Sequence, residues 1–347
     1  MSGSASGLLL IDKPQGWTSH DAVARTRRLA GTRKVGHAGT LDPMATGLLI
    51  LGINSSTRLL TYVVGLDKEY LATIRLGAST TTDDAEGEQL TRAPAASVAA
   101  MTPEGIATGI AALTGDIAQQ PSAVSAIKVD GKRAYARVRA GEKVELPARP
   151  VTVSAFELIS SSAVDGFLDL AVRVECTSGT YIRALARDLG SGLGVGGHLT
   201  SLRRTRIGPF RIEAAQPLEN LDVPSALIGA TDAATRLFDR VDLTDQQAID
   251  LGHGKRIQIQ TAQIQAGQIR PAQIQGERSQ RVLDGPIAAV APGGRLVGLV
   301  EFNGNQGKSL VNFPPDETSR PYTGGTDPGR ADTAATDTAG IDTDGAS

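Results

Sequence analysis

The spacing of apolar positions changes several times along the chain, and each change marks an element. Leu8 to Ile11 is a short unbroken apolar run that predicts a buried strand, and the PQGW after Lys13 predicts a turn. Ser19 is placed to N-cap a helix running to about Ala30, stopped by Gly31, with Val23 and Leu29 turned inward. Residues 36–47, GHAGTLDPMATG, follow neither the helical nor the strand period and predict a loop that leads into a strand, LLILGI, at 48–53. YLATIRL at 70–76 alternates as a strand does. Residues 83–103 are acidic, Ala-rich and irregular, an exposed connection to a helix over 103–113. Strands follow at 151–159 and 167–176, the second with Leu168, Leu170, Val172, Val174 and Cys176 on one face; then come a helix over 180–189 and a strand over 199–206. Strands and helices alternate without βαβ regularity, so the body, residues 7–241, reads as α+β with a mixed, mostly antiparallel sheet.

A second unit begins near Asp242. Thr244 and Gln247 form a capping box and Gly252 closes the short helix, after which β-like segments recur at 255–260, 287–291, 295–302 and 309–313. Residues 242–313 therefore read as a small β-rich domain. Gln-Ile recurs within it at 258, 263, 268 and 273, and four degenerate copies predict a low-complexity insertion over about 258–280 rather than a solenoid. Residues 1–6 are small and polar, and residues 314–347 are rich in Thr, Asp and Gly; both ends are expected to be disordered.

Composition narrows the chemistry. With one cysteine, Cys176, and four scattered histidines, the 347-residue chain has no internal disulfide and no closely spaced zinc ligands, and a reducing, cytoplasmic setting is expected. No leader of the secretory type and no run of ~18 apolar residues is present, so no membrane association is expected. The net charge of −2 averages two regions: from Pro314 onward there are seven acids and two bases, which leaves the rest of the chain positive. The bases of that larger part cluster as Arg25, Arg27, Arg28, Arg33 and Lys34, as Lys128, Lys132, Arg133, Arg137 and Arg139, and as Arg203, Arg204, Arg206 and Arg211. Three such patches suit a polyanion-binding surface.

Familiar cofactor signals fail on context. GNQGKS at 304–309 has Phe302 where a phosphate loop needs Gly, and GLGVGG at 192–197 follows a helix instead of a strand, so it reads as a flexible loop. No GxSxG or HExxH occurs, and no metal, nicotinamide or nucleotide cofactor is expected. What remains is Asp42, in a loop whose glycines allow close backbone approach. It suits a nucleophile or base, although on physics alone an Asp in a Gly-rich loop is more often an Asx-turn or cap, and no second acid in the motif provides a glycosidase-like pair.

GHAGTLDPMATGLL at 36–49 resembles the catalytic motif of the TruB family of tRNA pseudouridine synthases. IDKPQGWTS at 11–19, KEYLATIRLGASTTTDDAEG at 68–87, CTSGTYIRALARDLG at 176–190 and LRRTRIGPF at 202–210 match further blocks in order, and the C-terminal unit resembles, more weakly, a PUA-like RNA-binding domain. The resemblance implies a pseudouridine-synthase core that isomerises the T-loop uridine at position 55 of tRNA, working as a monomer on the T-arm, with tRNA-folding assistance as a possible second activity. Asp42 would be the nucleophile, acting at C1′ or through a glycal. Arg183 would pair with it, Tyr70 would stack on the extruded uracil, and Tyr181 and Leu202 would line the pocket. His37 would fill the gap left by the flipped nucleotides, Lys13 would support the loop or contact phosphate, and Cys176 would have no role. The competing readings are a guide-RNA-dependent synthase of the same superfamily, an RNA-binding factor without catalysis, and an Asp-nucleophile phosphatase; the last would want an acid where Met44 stands.

The acidic tail lacks the apolar content to fold and would repel RNA. Truncation after Phe313 should leave turnover unchanged within about two-fold and tighten tRNA binding at low salt. Tritium release from tRNA carrying [5-³H]uridine and filter binding check the two halves of this expectation.

Overall fold

Buried apolar runs on the first strands set the architecture of the computed structural model, which describes residues 5–122, 146–260, 263–265 and 285–314 and the backbone of two short paired strands, β8 (Lys128–Val129) and β9 (Lys132–Arg133). Strands β1 (Gly7–Lys13) and β3 (Thr46–Ile53) pair antiparallel towards one end of the main sheet. Leu9, Ile11, Leu49, Leu51 and Ile53 point into one core while Leu8, Leu10, Leu48 and Ile50 point into another. A strand covered on both faces needs apolar residues at every position, which is why LLLI and LLILGI are continuous rather than alternating.

Around this pair lie β2 (Val35–Ala38), β4 (Lys68–Leu76), β7 (Gly115–Gln119), β10 (Arg149–Val164), β11 (Phe167–Cys176), β12 (Gly197–Ile207) and the short β13 (Phe210–Arg211), β14 (Gln216–Pro217) and β15 (Ile228–Gly229). The path across the eleven-stranded sheet is β14-β1-β3-β12-β4-β11-β10-β7, with β15 on β1, β2 on β3 and β13 on β12. Only β1/β14 and β3/β12 are parallel; the other pairings are antiparallel. A small ribbon of β5 (Ala78–Thr80) and β6 (Gln89–Arg92) stands beside it.

Several local expectations change. Thr18, not Ser19, caps the helix Ser19–Ala30, in a capping box with Asp21, because the Ser19 side chain is committed to the loop at Leu41. Leu29 is 44% exposed while Val23 is buried, so the inward face of that helix is narrower than expected. Both ends of segment 36–47 are strand, since backbone pairing with β3 requires no apolar pattern. Segment 83–103 contains β6 and the short helix Ala95–Ala99. The helix expected at 180–189 runs Ile182–Gly192, and the helix Asp245–Gly252 has His253 as its C-cap, Gly252 being its last residue. GLGVGG forms a tight helix-to-strand turn: a Cβ on Gly190 would lie 2.2 Å from the Gly196 carbonyl carbon. Ser6 is buried and its hydroxyl accepts from the Ser55 amide, so the N-terminal segment is fixed from at least that residue.

The second sheet has the order β17 (Ile257–Gln258), β21 (Gln306–Asn312), β20 (Leu296–Asn303), β19 (Ile287–Val290), β16 (Arg240–Asp242) and β18 (Ile264–Gln265). The first two Gln-Ile copies are therefore part of a sheet, with Ile259 and Ile264 buried in its core, because isoleucine fills a core whatever the complexity of its surroundings. The copies at 268 and 273, residues 1–4, Arg137, Arg139 and 315–347 lie outside the described residues. This β-rich domain is not independent of the first. Leu296, Leu299 and Phe313 share a core with Leu8, Leu10, Leu48 and Ile50, together with Leu237 from the helix Ala230–Leu237.

A chain ending at residue 241 would cut through β16 and remove Leu296, Leu299 and Phe313 from the core behind β1 and β3. Each large side chain exposed costs about 1.5–3 kcal/mol. Residues 1–241 alone should melt at least ~10 °C below the full chain and bind ANS, as calorimetry and dye fluorescence would measure.

Candidate active site

The functional geometry is built where β3 runs parallel to β12. Gly47 sits there at φ +99°, and a Cβ on it would lie 2.3 Å from the Arg204 carbonyl oxygen, so the two strands approach more closely than any side chain allows. The loop that enters β3 carries Asp42. It is tied at Leu41, whose amide donates to Ser19 Oγ at 2.9 Å, and at Pro43, whose carbonyl accepts from the Gly16 amide at 2.8 Å. Arg204, almost wholly buried, holds the two flanks: Nε donates to the Leu48 carbonyl at 2.8 Å and Nη2 to the Gly39 carbonyl at 3.0 Å. The Asp42 side chain is left 39% exposed on a fixed backbone.

Arg183, buried and second in its helix, meets this carboxylate with Nη2 2.9 Å from Asp42 Oδ2. Its other nitrogen, Nη1, lies 3.3 Å from Asp84 Oδ2 and donates to the Thr82 carbonyl at 2.9 Å. Asp84 is itself buried and held by Thr82 Oγ1 and the Glu86 amide. One guanidinium thus spans a buried acid and an exposed one, and its planar fork fixes the exposed one in direction.

Asp42 and Arg183 line a cavity of about 260 Å³. Its floor comes from β4 and β12: Lys68, Tyr70, Leu202 and Arg204. Tyr70 is 8% exposed; burial raises its phenol above the ordinary value, against the opposing charge and hydrogen bond of Arg204. Tyr181 is half-buried at the N-cap of the Arg183 helix, where Gln119 clamps its backbone by accepting from its amide and donating to its carbonyl.

Five of the seven expected residues, Asp42, Tyr70, Tyr181, Arg183 and Leu202, therefore meet at one cavity. Lys13 and His37 are not among its lining residues. Lys13 is fully buried, its Nζ donates to the Pro14 and Trp17 carbonyls, and burial lowers its pKa to about 8 against the opposing effect of Asp42. Its amine is turned toward the carbonyls of the 14–17 turn. His37 stands on β2 with its ring edge-on to His20 at 5.7 Å; burial, then His20 and Arg204, lower its pKa, and its Nδ1 is buried without a hydrogen-bond partner. Cys176 is buried, and burial raises its thiol to about 11. Among the described residues no cluster of three or more His, Cys, Asp or Glu could hold a metal, and no helix is long and apolar enough to cross a membrane.

Arg204, Lys68 and Asp84 escaped the sequence reading. All three lie in the quoted blocks, but an arginine among arginines and acids among acids carry no local sign of burial. The third basic cluster is correspondingly not a free patch: Arg204 is interior, Arg203 pairs with Asp12 at 2.6 Å, and Arg206 pairs with Asp67 at 2.7 Å.

Comparison with known proteins agrees with this geometry. The model of the TruB family pseudouridylate synthase N-terminal domain matches residues 27–182, that of the tRNA pseudouridylate synthase B C-terminal domain residues 183–242, and that of the tRNA pseudouridine synthase II C terminus residues 276–314. A tRNA pseudouridine synthase B from Leifsonia xyli is 64% identical over 90% of this chain and 98% of its own length. One from Paenarthrobacter aurescens is 53% identical over 89% and 96%. Among solved structures, a Cbf5-Nop10-Gar1 complex gives a TM-score of 0.64 at 24% identity, covering 89% of this chain and 85% of that one. An H/ACA RNP bound to a substrate RNA containing 2'-deoxyuridine gives 0.62 at 23% with the same coverage. At that identity the two structures speak to the fold alone, whereas the curated relatives, matched nearly end to end, speak to the activity. The chain belongs to the TruB family, and it is a tRNA pseudouridine synthase.

Proposed function

We propose that the uridine isomerised is the T-loop uridine at position 55, and that Asp42 is the nucleophile. The observation that carries the second part is the 2.9 Å pairing of Asp42 with Arg183 at a cavity floored by a buried tyrosine. A carboxylate held ionised and aimed by a planar cation suits attack at C1′ or removal of a proton to form a glycal. Because Arg183 is anchored behind by Asp84 and the Thr82 carbonyl, it does not follow Asp42 if that side chain moves.

A uridine inside a folded RNA loop reaches such a cavity only by leaving its stack. The Tyr70 ring, register partner of Arg204, offers the uracil a replacement surface, and Leu202 and Tyr181 complete the apolar walls. Once the base is in place, the C1′–N1 bond breaks, the ring turns, and C5 bonds to C1′, losing its hydrogen as a proton while N1 gains one. Atoms and electrons balance without a cofactor. His37, on the strand leading to the Asp42 loop, is assigned to the RNA that surrounds the extruded base, and Lys13 to support of the turn. The β-rich second domain, which we read as PUA-like, adds phosphate contacts farther along the T-arm. We read the enzyme as a cytoplasmic monomer.

Asp42→Asn keeps size and hydrogen bonding but loses the charge. It should bind tRNA within about three-fold of wild type and form no detectable pseudouridine, measured by filter binding and tritium release. Turnover by this variant would overturn the assignment. Arg183→Lys retains charge but not the fork that reaches two carboxylates at once, so its single-turnover rate should fall by on the order of 10². A near-normal rate would mean that the pairing is incidental.

A further inference from the structure

Two cations of the cavity have no carboxylate to answer them. Lys68 and Tyr70, two apart on β4, share one face of the sheet, and Tyr70 is the register partner of Arg204 on β12. All three line the cavity. Arg183 is answered by Asp42 and Asp84, but among the described residues neither Lys68 nor Arg204 forms an ion pair. Asp67, next to Lys68 in sequence, is taken by Arg206.

Neither cation needs its charge for the bonds it makes. Arg204 donates to the Gly39, Thr40 and Leu48 carbonyls, and Lys68 Nζ to those of Val64 and Leu66, leaving one of its three hydrogens. Burying adjacent unpaired charges is unfavourable. The strain falls on Lys68, whose pKa is lowered to about 8, first by burial and then by Arg204. A neutral donor would satisfy the same carbonyls, so the retained charge points to a negative partner that arrives with the substrate.

We propose that Lys68, backed by Arg204, is a catalytic residue that stabilises the negative charge of the detached uracil ring. This rests on the reading of the cavity as the uridine pocket. When the C1′–N1 bond breaks, the electron pair leaves with the ring, and the resulting anion is delocalised over N1, O2 and O4. When C5 bonds to C1′, the C5 proton departs and N1 takes up a proton. Between these events the ring is an anion that must turn, and a positive floor stabilises it in every orientation, as one directional donor would not.

The groups around Lys68 are Arg204 on β12, Cys176 as its register partner on β11, and Asp67 just before β4; the thiol, raised to about 11, is neutral. Because the protonated amine is required, the rate should fall as pH rises through about 8. Lys13 titrates in the same range, but a substitution at position 68 does not move it.

The test compares single-turnover rates of the full chain on saturating tRNA carrying uridine or 5-fluorouridine at the target, since fluorine stabilises the ring anion by itself. Lys68→Met should lose at least about 30-fold on uridine but less than about 5-fold in consumption of 5-fluorouridine, with the tRNA Kd within about three-fold of wild type. Lys68→Arg should recover most of the uridine rate and shift the alkaline fall upward. Equal losses on both substrates, or weakened binding instead of a slower step, would reduce Lys68 to a scaffold residue. If Lys68→Met does not fold, the profiles of wild type and Lys68→Arg decide: no alkaline fall, or one unmoved by arginine, overturns the proposal. A wild-type chain inactive on the uridine tRNA, or an active Asp42→Asn, would instead overturn the reading of the cavity, and the proposal with it.

Discussion

The placement of the site depends on the contact between β3 and β12, two parallel strands brought together at Gly47 and fastened by the guanidinium of Arg204. From one buried side chain, bonds run to both flanks of the Asp42 loop, and its positive charge lies beside the phenol of Tyr70. The loop therefore needs no regular structure of its own, because its conformation is imposed from beneath. The absence of any apolar period in 36–47, which made the segment look featureless, is what such imposed geometry permits.

Electrostatics follows the same economy. Arg183 is shared by an exposed and a buried carboxylate, so its orientation survives whatever the exposed one does, while Ser19 and Gly16 fix the backbone from the other side. Rigidity is spent on the partner and the loop rather than on the Asp42 side chain, which stays accessible. That division of roles fits a group that must hold a direction when idle and release its partner when it acts.

Much of this was legible in sequence, for identifiable reasons. The unbroken runs at 8–11 and 48–53 marked central strands because double-sided burial leaves no room for polar alternation, and the matching of the blocks singled out Asp42, Tyr70, Tyr181, Arg183 and Leu202 before their proximity was known. Burial of charge was not legible. Arg204 and Lys13 carry the same letters as surface residues, and only the closure of the sheet around them shows that they are buried and hold carbonyls. Ile259 and Ile264 were likewise hidden by the repetition around them, since composition describes a neighbourhood and packing selects single residues from it.

The shared core behind β1 also bears on how the molecule is made. Leu8 and Leu10 leave the ribosome early, but three side chains of the core they belong to, Leu296, Leu299 and Phe313, are among the last of the described chain to be synthesised. The core behind the first strand of the catalytic sheet thus stays incomplete through most of translation, with contacts of very long sequence separation still to be closed. The catalytic sheet of this protein consequently reaches its final packing only after the second domain has emerged.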